Sequence, residues 1–79
     1  MKPLECRAER QKMRFRIREC LDRQGLNMLE VARLMGVNKN LVRDTVNGFR
    51  NNVRVLEALR DDFGVPAELL YIPQKGKAA

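Results

Sequence analysis

The amino-acid sequence predicts an all-α fold, a compact bundle of five helices, because glycine divides it into segments of helical length. The chain has 79 residues, which is enough for one domain but not for two. The dividing residues are Gly25, Gly36, Gly48 and Gly64. Residues 1–73 are therefore expected to form a single domain. The polar segment 74–79 is predicted to be a disordered tail.

The first predicted helix covers residues 4–24, which contain neither glycine nor proline and are rich in helix-forming side chains. Its apolar positions share one face: Met13, Ile17, Cys20 and Leu21. Residues 13–18 also alternate like a strand, but this run is short and both of its flanks are helical. Along a continuous helix Cys6 and Cys20 would stand about 21 Å apart, which is too far for a disulfide.

Asparagine marks the start of each of the next three helices. Asn27, with Glu30 three residues later, approximates a capping box. Asn38 is expected to cap the third helix, and either Asn51 or Asn52 the fourth. The fourth helix has an apolar face formed by Leu56, Leu59 and Phe63.

The fifth predicted helix is short and is bounded by proline. Pro66 is expected at its first position, where the missing N–H costs nothing, and the helix would run over residues 67–71. Pro73 would then stop it.

The positive charge of the chain is uneven. Sixteen Lys and Arg side chains against ten Asp and Glu give a net charge of +6. Residues 1–50 carry 12 basic and 6 acidic side chains, whereas residues 51–79 carry 4 of each. Clustered positive charge indicates a polyanionic partner, so we expect the first two-thirds of the chain to meet it.

Composition argues against several other classes of function. No apolar run is long enough to span a membrane or to serve as a secretory signal, so a cytoplasmic location is expected. Histidine is absent, no glycine-rich phosphate loop occurs, and the acidic residues form no convergent pair. An enzyme, a bound metal, a cofactor and a small-molecule ligand are therefore not expected.

Residues 29–48 carry the functional prediction. A tight turn at Gly36 joins the second and third helices, which is the helix-turn-helix arrangement, and Ala32 is small where the two would touch. At about 100° per residue, the third helix, over about 39–47, separates into two faces. The packing face has Leu41, Val42, Thr45 and Val46, and the polar face has Lys39, Asn40, Arg43, Asp44 and Asn47.

The stretch VARLMGVNKNLVRDTVNG resembles the helix-turn-helix of the lambda-repressor-like family, which includes phage Cro and repressor proteins. The matching positions are Val31-Ala32, Gly36-Val37, Asn38, Val42 and Gly48. The segment from Leu56 to Leu70 is similar to the fourth and fifth helices of that family, and residues 66–73 are similar to the short Ner-type phage regulators. The sequence departs from the family pattern at Met28, Leu41 and Thr45.

The resemblance implies that the third helix enters the major groove of double-stranded DNA. It implies base contacts from Lys39, Asn40 and Arg43, whose donors suit guanine and adenine edges. The predicted phosphate contacts are Asn38, Asn47, Arg50 and Arg54. The function so predicted is that of a sequence-specific transcriptional regulator, phage-like or prokaryotic, acting as a repressor or in a related role.

The basic side chains of the first helix have two interpretations. They are Arg7, Arg10, Lys12, Arg14, Arg16 and Arg18. Either they form the solvated surface of that helix, or a subset contacts phosphates beside the reading helix.

Two further alternatives stay open at this point. The same fold could serve as a protein-interaction module of the antirepressor or antitoxin type; RNA binding is less favoured because few aromatic residues are present to stack on bases. One domain of this kind reads only a half-site, so a homodimer is expected, either in solution or only on DNA. The apolar segment 69–72 could form its interface, or it could simply cap the core.

Overall fold

The computed structural model describes residues 2–73, and these form six helices joined by short turns, with no strand among them. The helices are α1 Pro3–Lys12, α2 Arg14–Arg23, α3 Met28–Met35, α4 Lys39–Val46, α5 Val53–Asp61 and α6 Ala67–Leu70. The predicted all-α class is confirmed. The predicted tail 74–79 lies outside the described residues. None of the described helices has the length and apolar character needed to cross a membrane.

The prediction of one continuous first helix is wrong, and the number of helices is therefore six instead of five. The chain leaves helical geometry at Met13, where φ is −97° and ψ is 4°, and Met13 N donates to Arg10 O at 2.9 Å. No glycine or proline causes this break. The side chain of Arg10 on α1 and that of Ile17 on α2 are both fully buried. Helix propensity is a weak preference, and tertiary contacts on the two sides of Met13 override it.

The asparagine caps are confirmed for α3, α4 and α5. In each, the side-chain Oδ1 accepts a hydrogen bond from a backbone N–H of the first turn, at 2.7–3.0 Å. The donors are Glu30 N for Asn27, Asn40 N for Asn38 and Val55 N for Asn52. Of the two candidates for α5, Asn52 is thus the cap. Pro66 precedes α6 as its cap instead of occupying its first position.

The turn between α3 and α4 fixes the relative position of these two helices. Gly36 has a positive φ of 73°, a conformation that glycine adopts at no steric cost. Val37 N then donates to Ala32 O at 2.9 Å, and the Ala32 side chain is buried. Val42 and Val46 on α4 are fully buried as well. The positive φ of Gly36 and the burial of Ala32 agree with the expectation from the sequence.

The hydrophobic core lies between α2, α3, α4 and α5 and is closed by the C-terminal segment. Leu70 is completely buried, and Leu69 and Ile72 pack against the core. These residues cap the core, so Leu70 is not available for pairing two copies. Cys6 is buried and Cys20 half-buried, and both are free thiols. Within residues 2–73 the buried core cluster comprises Ile17, Leu21, Val31, Ala32, Val42, Val46, Val55, Leu56, Leu59, Phe63, Val65 and Leu70.

Candidate nucleic-acid interface

Helix α4 has one buried face and one exposed face, as its sequence predicts. Val42, Thr45 and Val46 are buried, and Leu41 is half-buried. The hydroxyl of Thr45 donates to Leu41 O at 2.7 Å, so this polar group is satisfied inside the core. The exposed face carries the three predicted base contacts, which are Lys39, Asn40 and Arg43. They occupy the first turn and a half of the helix, at the end that follows the turn.

The exposed cations of this region are held only weakly by the rest of the molecule. Arg43 Nε lies 3.7 Å from Asp44 Oδ1, and both side chains are in contact with solvent, so this ion pair contributes little. Among residues 2–73, the side chains of Lys39, Arg50 and Arg54 make no hydrogen bond or ion pair with any other residue. Their donors are thus available to an external acceptor.

The predicted phosphate contacts occupy two different environments. Arg50 and Arg54 are exposed, on the loop before α5 and in its first turn. Asn38 is exposed too, but its oxygen is engaged in capping α4. Asn47 is half-buried, and its Oδ1 accepts a hydrogen bond from Arg18 Nη2 at 2.9 Å. Asn47 therefore ties the end of α4 to α2, and only its amide donors remain for a ligand.

The side chain of Arg10 is completely buried, and sequence reasoning missed this role. Its guanidinium donates to carbonyl oxygens on three separate segments of the chain. These are Thr45 O at 2.7 Å, Leu70 O at 2.8 Å, Tyr71 O at 3.3 Å and Arg50 O at 2.8 Å, together with Asn51 Oδ1. Both interpretations offered for this residue, a solvated surface or a phosphate contact, are wrong. The sequence gives no signal that distinguishes Arg10 from the neighbouring arginines.

Burial acts directly on the electrostatics of this guanidinium. Desolvation lowers the pKa of Arg10, the nearby Cys6 partly opposes that effect, and Arg7 adds to it. Arginine nonetheless stays protonated in proteins. The charge is compensated by carbonyl dipoles, because no carboxylate lies among its hydrogen-bond partners.

A second arginine of α1 forms a hydrogen bond with the backbone just after α4. Arg7 Nε donates to Gly48 O at 3.1 Å. Gly48 has a φ of 84°, and a Cβ built there would lie 2.5 Å from Arg7 O and 2.9 Å from Gln11 Cβ. Glycine is therefore required at this position both by its backbone conformation and by the close approach of α1. Together, Arg7 and Arg10 fix the loop that presents Arg50.

No protein-family model, curated protein or solved structure matches this chain. The geometry of α4 and of the loop that follows it is accordingly the basis for assigning a function.

Proposed function

We propose that this chain is a sequence-specific double-stranded DNA-binding transcriptional regulator. In this proposal α3 and α4 form a helix-turn-helix of the lambda-repressor-like kind, and α4 lies in the major groove. The observation that carries it is the exposed face of α4, where Lys39, Asn40 and Arg43 have solvent-accessible donors while the opposite face is locked in the core. The protein acts in the cytoplasm, without a cofactor, a metal or a small-molecule effector.

The chemistry of the three side chains suits base edges. Arg and Lys donate to O6 and N7 of guanine, and Asn pairs with N6 and N7 of adenine. Lys39 and Arg43 are four residues apart, so they lie on the same side of the helix one turn from each other. A rigid scaffold beneath them matters as much as their identity, since a base contact requires a fixed direction. The buried Val42 and Val46 supply that rigidity.

Phosphate contacts would flank the reading helix. Arg50 and Arg54 supply exposed charge on the loop and helix after α4, and Asn38 and Asn47 offer amide donors at its two ends. The backbone of the loop with Arg50 is anchored to α1, because Arg10 Nη2 donates to Arg50 O. The charged side chain is therefore free to face DNA, while its backbone is anchored.

A protein-interaction module with the same fold is the second candidate. The exposed aromatic rings of Phe15 and Phe49 favour it, because large apolar side chains on a surface are typical of protein interfaces.

On DNA we propose that two copies bind half-sites about one helical turn apart.

Selection of bound sites from random duplex DNA tests the proposal. We expect a short enriched motif and an affinity that falls steeply with salt, because phosphate contacts release counterions. A variant with Lys39, Asn40 and Arg43 all changed to alanine should yield no enriched motif while remaining folded by circular dichroism. If the wild-type protein enriches no sequence, or if its motif survives in this variant, the assignment of α4 as the reading helix is wrong.

A further inference from the structure

Two exposed apolar surfaces of opposite charge lie beside the proposed DNA interface, which shares Asn47 with the first and Arg54 with the second. The first, here called the cationic patch, is formed by Leu4, Phe15 and Phe49, which are 71%, 63% and 59% exposed. Two adjoining depressions of about 300 and 240 Å³ connect these side chains, since Gln11 and Phe49 line both. The patch is thus a continuous surface contributed by α1, α2 and the loop after α4.

Arginine surrounds the aromatic rings of the cationic patch. The guanidinium carbon of Arg14 lies 4.6 Å from the centroid of the Phe15 ring, and that of Arg18 lies 5.9 Å from it. Arg7 and Arg18 also line the two depressions. A partner that covers these rings also comes close to the guanidinium groups. The partner must therefore combine an apolar site with negative charge.

The second surface, here called the acidic groove, lies between α3 and α5 and has a volume of about 510 Å³. Its apolar part is formed by Leu34, which is 67% exposed, with Met35, Ala58 and Phe63. Its rim carries Glu57, Asp61 and Asp62, against one cation, Arg54.

The carboxylates of this rim differ in how far they are already neutralised. Arg60 donates two hydrogen bonds to the carboxylate of Asp61, from Nε at 2.7 Å and from Nη2 at 3.0 Å. These hydrogen bonds also lower the pKa of Asp61. Glu57 and Asp62 form no ion pair within residues 2–73. The groove therefore presents more carboxylates than cations beside an apolar floor, in a chain whose net charge is +6.

Charge complementarity decides what can occupy the groove. Three carboxylates outnumber Arg54 on this rim, so the floor of the groove does not favour a nucleic acid or an acidic protein segment. An apolar side chain flanked by arginine fits, and the cationic patch presents that combination in Phe15 with Arg14. The lining residues of the patch and of the groove have no member in common, so both surfaces are open on one molecule.

We propose that the chain self-associates head to tail, with the cationic patch of one copy seated in the acidic groove of the next. Such a contact is heterologous, and it leaves one free patch and one free groove at the ends of every pair. Association therefore continues beyond the dimer, into open chains or a closed ring. The inference requires no DNA and stands apart from the proposed function.

Sedimentation velocity without DNA tests this proposal, using one variant for each surface. Phe15→Ser disables the patch and Leu34→Lys disables the groove, by removing its apolar contact and placing a cation there; both side chains are exposed, so both variants are expected to fold. We expect the wild-type protein to form species larger than a dimer as its concentration rises, and each variant alone to remain monomeric up to at least tenfold higher concentration. High salt should weaken the wild-type association.

The mixture of the two variants is the decisive measurement. An intact groove on the Phe15→Ser protein can receive the intact patch of the Leu34→Lys protein, so an equimolar mixture should form a one-to-one dimer. This dimer should not grow, because both of its free ends are disabled. Leu29→Ser is the matched control: Leu29 is also exposed on α3 but lines neither surface, and this variant should associate like the wild type.

Several outcomes would overturn the proposal. A wild-type protein that stays monomeric at every concentration rules out the contact, and so does a mixture in which both variants remain monomeric. Self-association that is unchanged in Phe15→Ser, together with weaker binding of duplex DNA, would assign the patch to nucleic acid.

Discussion

Two groups of cationic side chains in this molecule have opposite roles. The inward group, on α1 and α2, consists of the buried Arg10 and the half-buried Arg7 and Arg18, and each of them donates to a group in the segment from Thr45 to Tyr71. The outward group lies on α4, on the loop after it and at the start of α5, and its side chains are exposed; it consists of Lys39, Arg43, Arg50 and Arg54. In sequence the two groups look alike, because both lie in polar stretches with helical spacing.

The net charge of a segment therefore does not give the number of cations that are available to a ligand. Residues 1–50 hold the whole excess of positive charge, yet Arg10 is sealed in the interior and Arg7 and Arg18 are engaged in structural hydrogen bonds. The inward group fixes the end of α4 and the loop behind it. The outward group can then face a ligand from a rigid position. Substitutions in the first group should change stability, and those in the second should change binding alone.

The largest expected effect is that of Arg10→Met, which keeps the apolar volume of the side chain but removes its donors. Several carbonyl oxygens would lose a charged partner, and a buried unsatisfied polar group costs about 1–3 kcal/mol. We expect a loss of about 4 kcal/mol or more, which is a large part of the roughly 5–15 kcal/mol that stabilises a typical domain. Urea denaturation followed by circular dichroism measures it.

The control for that experiment is Arg16→Met, which removes the same charge from an exposed position on α2. Its effect should stay within about 0.5 kcal/mol, as is usual for surface substitutions. Equal denaturation midpoints for the two variants would show that the buried hydrogen bonds of Arg10 do not stabilise the fold.

The second-largest loss of stability is expected for Gly48→Ala, and Gly25→Ala is its control because the two glycines have similar φ angles. Gly48→Ala adds a Cβ 2.5 Å from Arg7 O, and Gly25→Ala adds one with nothing within 4 Å. Their φ angles are 84° and 74°, so both variants bear the left-handed strain of about 1–2 kcal/mol. Only Gly48→Ala must also displace α1, and we expect it to lose about 3 kcal/mol in total.

Thermal or urea unfolding of both variants separates the two contributions. If Gly25→Ala and Gly48→Ala lose the same amount of stability, then the close approach of α1 to Gly48 adds nothing to the cost of a side chain at that position.

How far the sequence predicts this molecule depends on whether a feature is local. The caps at Asn27, Asn38 and Asn52, the turn at Gly36 and the two faces of α4 all follow from residues within one or two helical turns, and the structure confirms them. The burial of Arg10 was not predicted, because its partners lie 35–61 residues away in the chain. The break at Met13 was not predicted either, because no glycine or proline marks it.

The features of the candidate site also separate into local ones, which the sequence predicts, and ones that depend on distant residues, which it does not. The exposure of Lys39, Asn40 and Arg43 follows from helical periodicity, and the structure agrees. The hydrogen bond between Arg18 and Asn47 joins residues 29 apart, and no pattern along the chain indicates it. Sequence thus identifies which helix faces outward, whereas the fold decides which polar residues are already engaged.

Within the outward group, Arg43→Ala should have the larger effect on DNA. A lost base contact costs about 1–3 kcal/mol on the preferred site and little on other duplexes, so specificity should flatten. Stability should not change, because Arg43 is exposed and its pairing with Asp44 is weak. Affinities measured on the selected site and on a scrambled duplex check this. Equal losses on both would show that Arg43 reads no base.

The smallest expected effect belongs to Arg50→Ala, and its signature is the salt dependence of binding. Arg50 has an exposed side chain and an anchored backbone, so its loss should remove one phosphate contact without moving the loop. We expect a similar weakening on every duplex and a salt slope smaller by about 1. Arg54→Ala should behave alike.

Arg23→Ala is the matched control for that measurement, because Arg23 is an exposed arginine on α2 paired with Glu19 at 3.5 Å, outside the proposed interface. It removes the same formal charge, so a long-range effect of net charge would lower the slope in all three variants. A contact with phosphate would lower it only for Arg50 and Arg54. A slope that is unchanged in Arg50→Ala would remove this residue from the interface, and the outward group would then be confined to α4 itself.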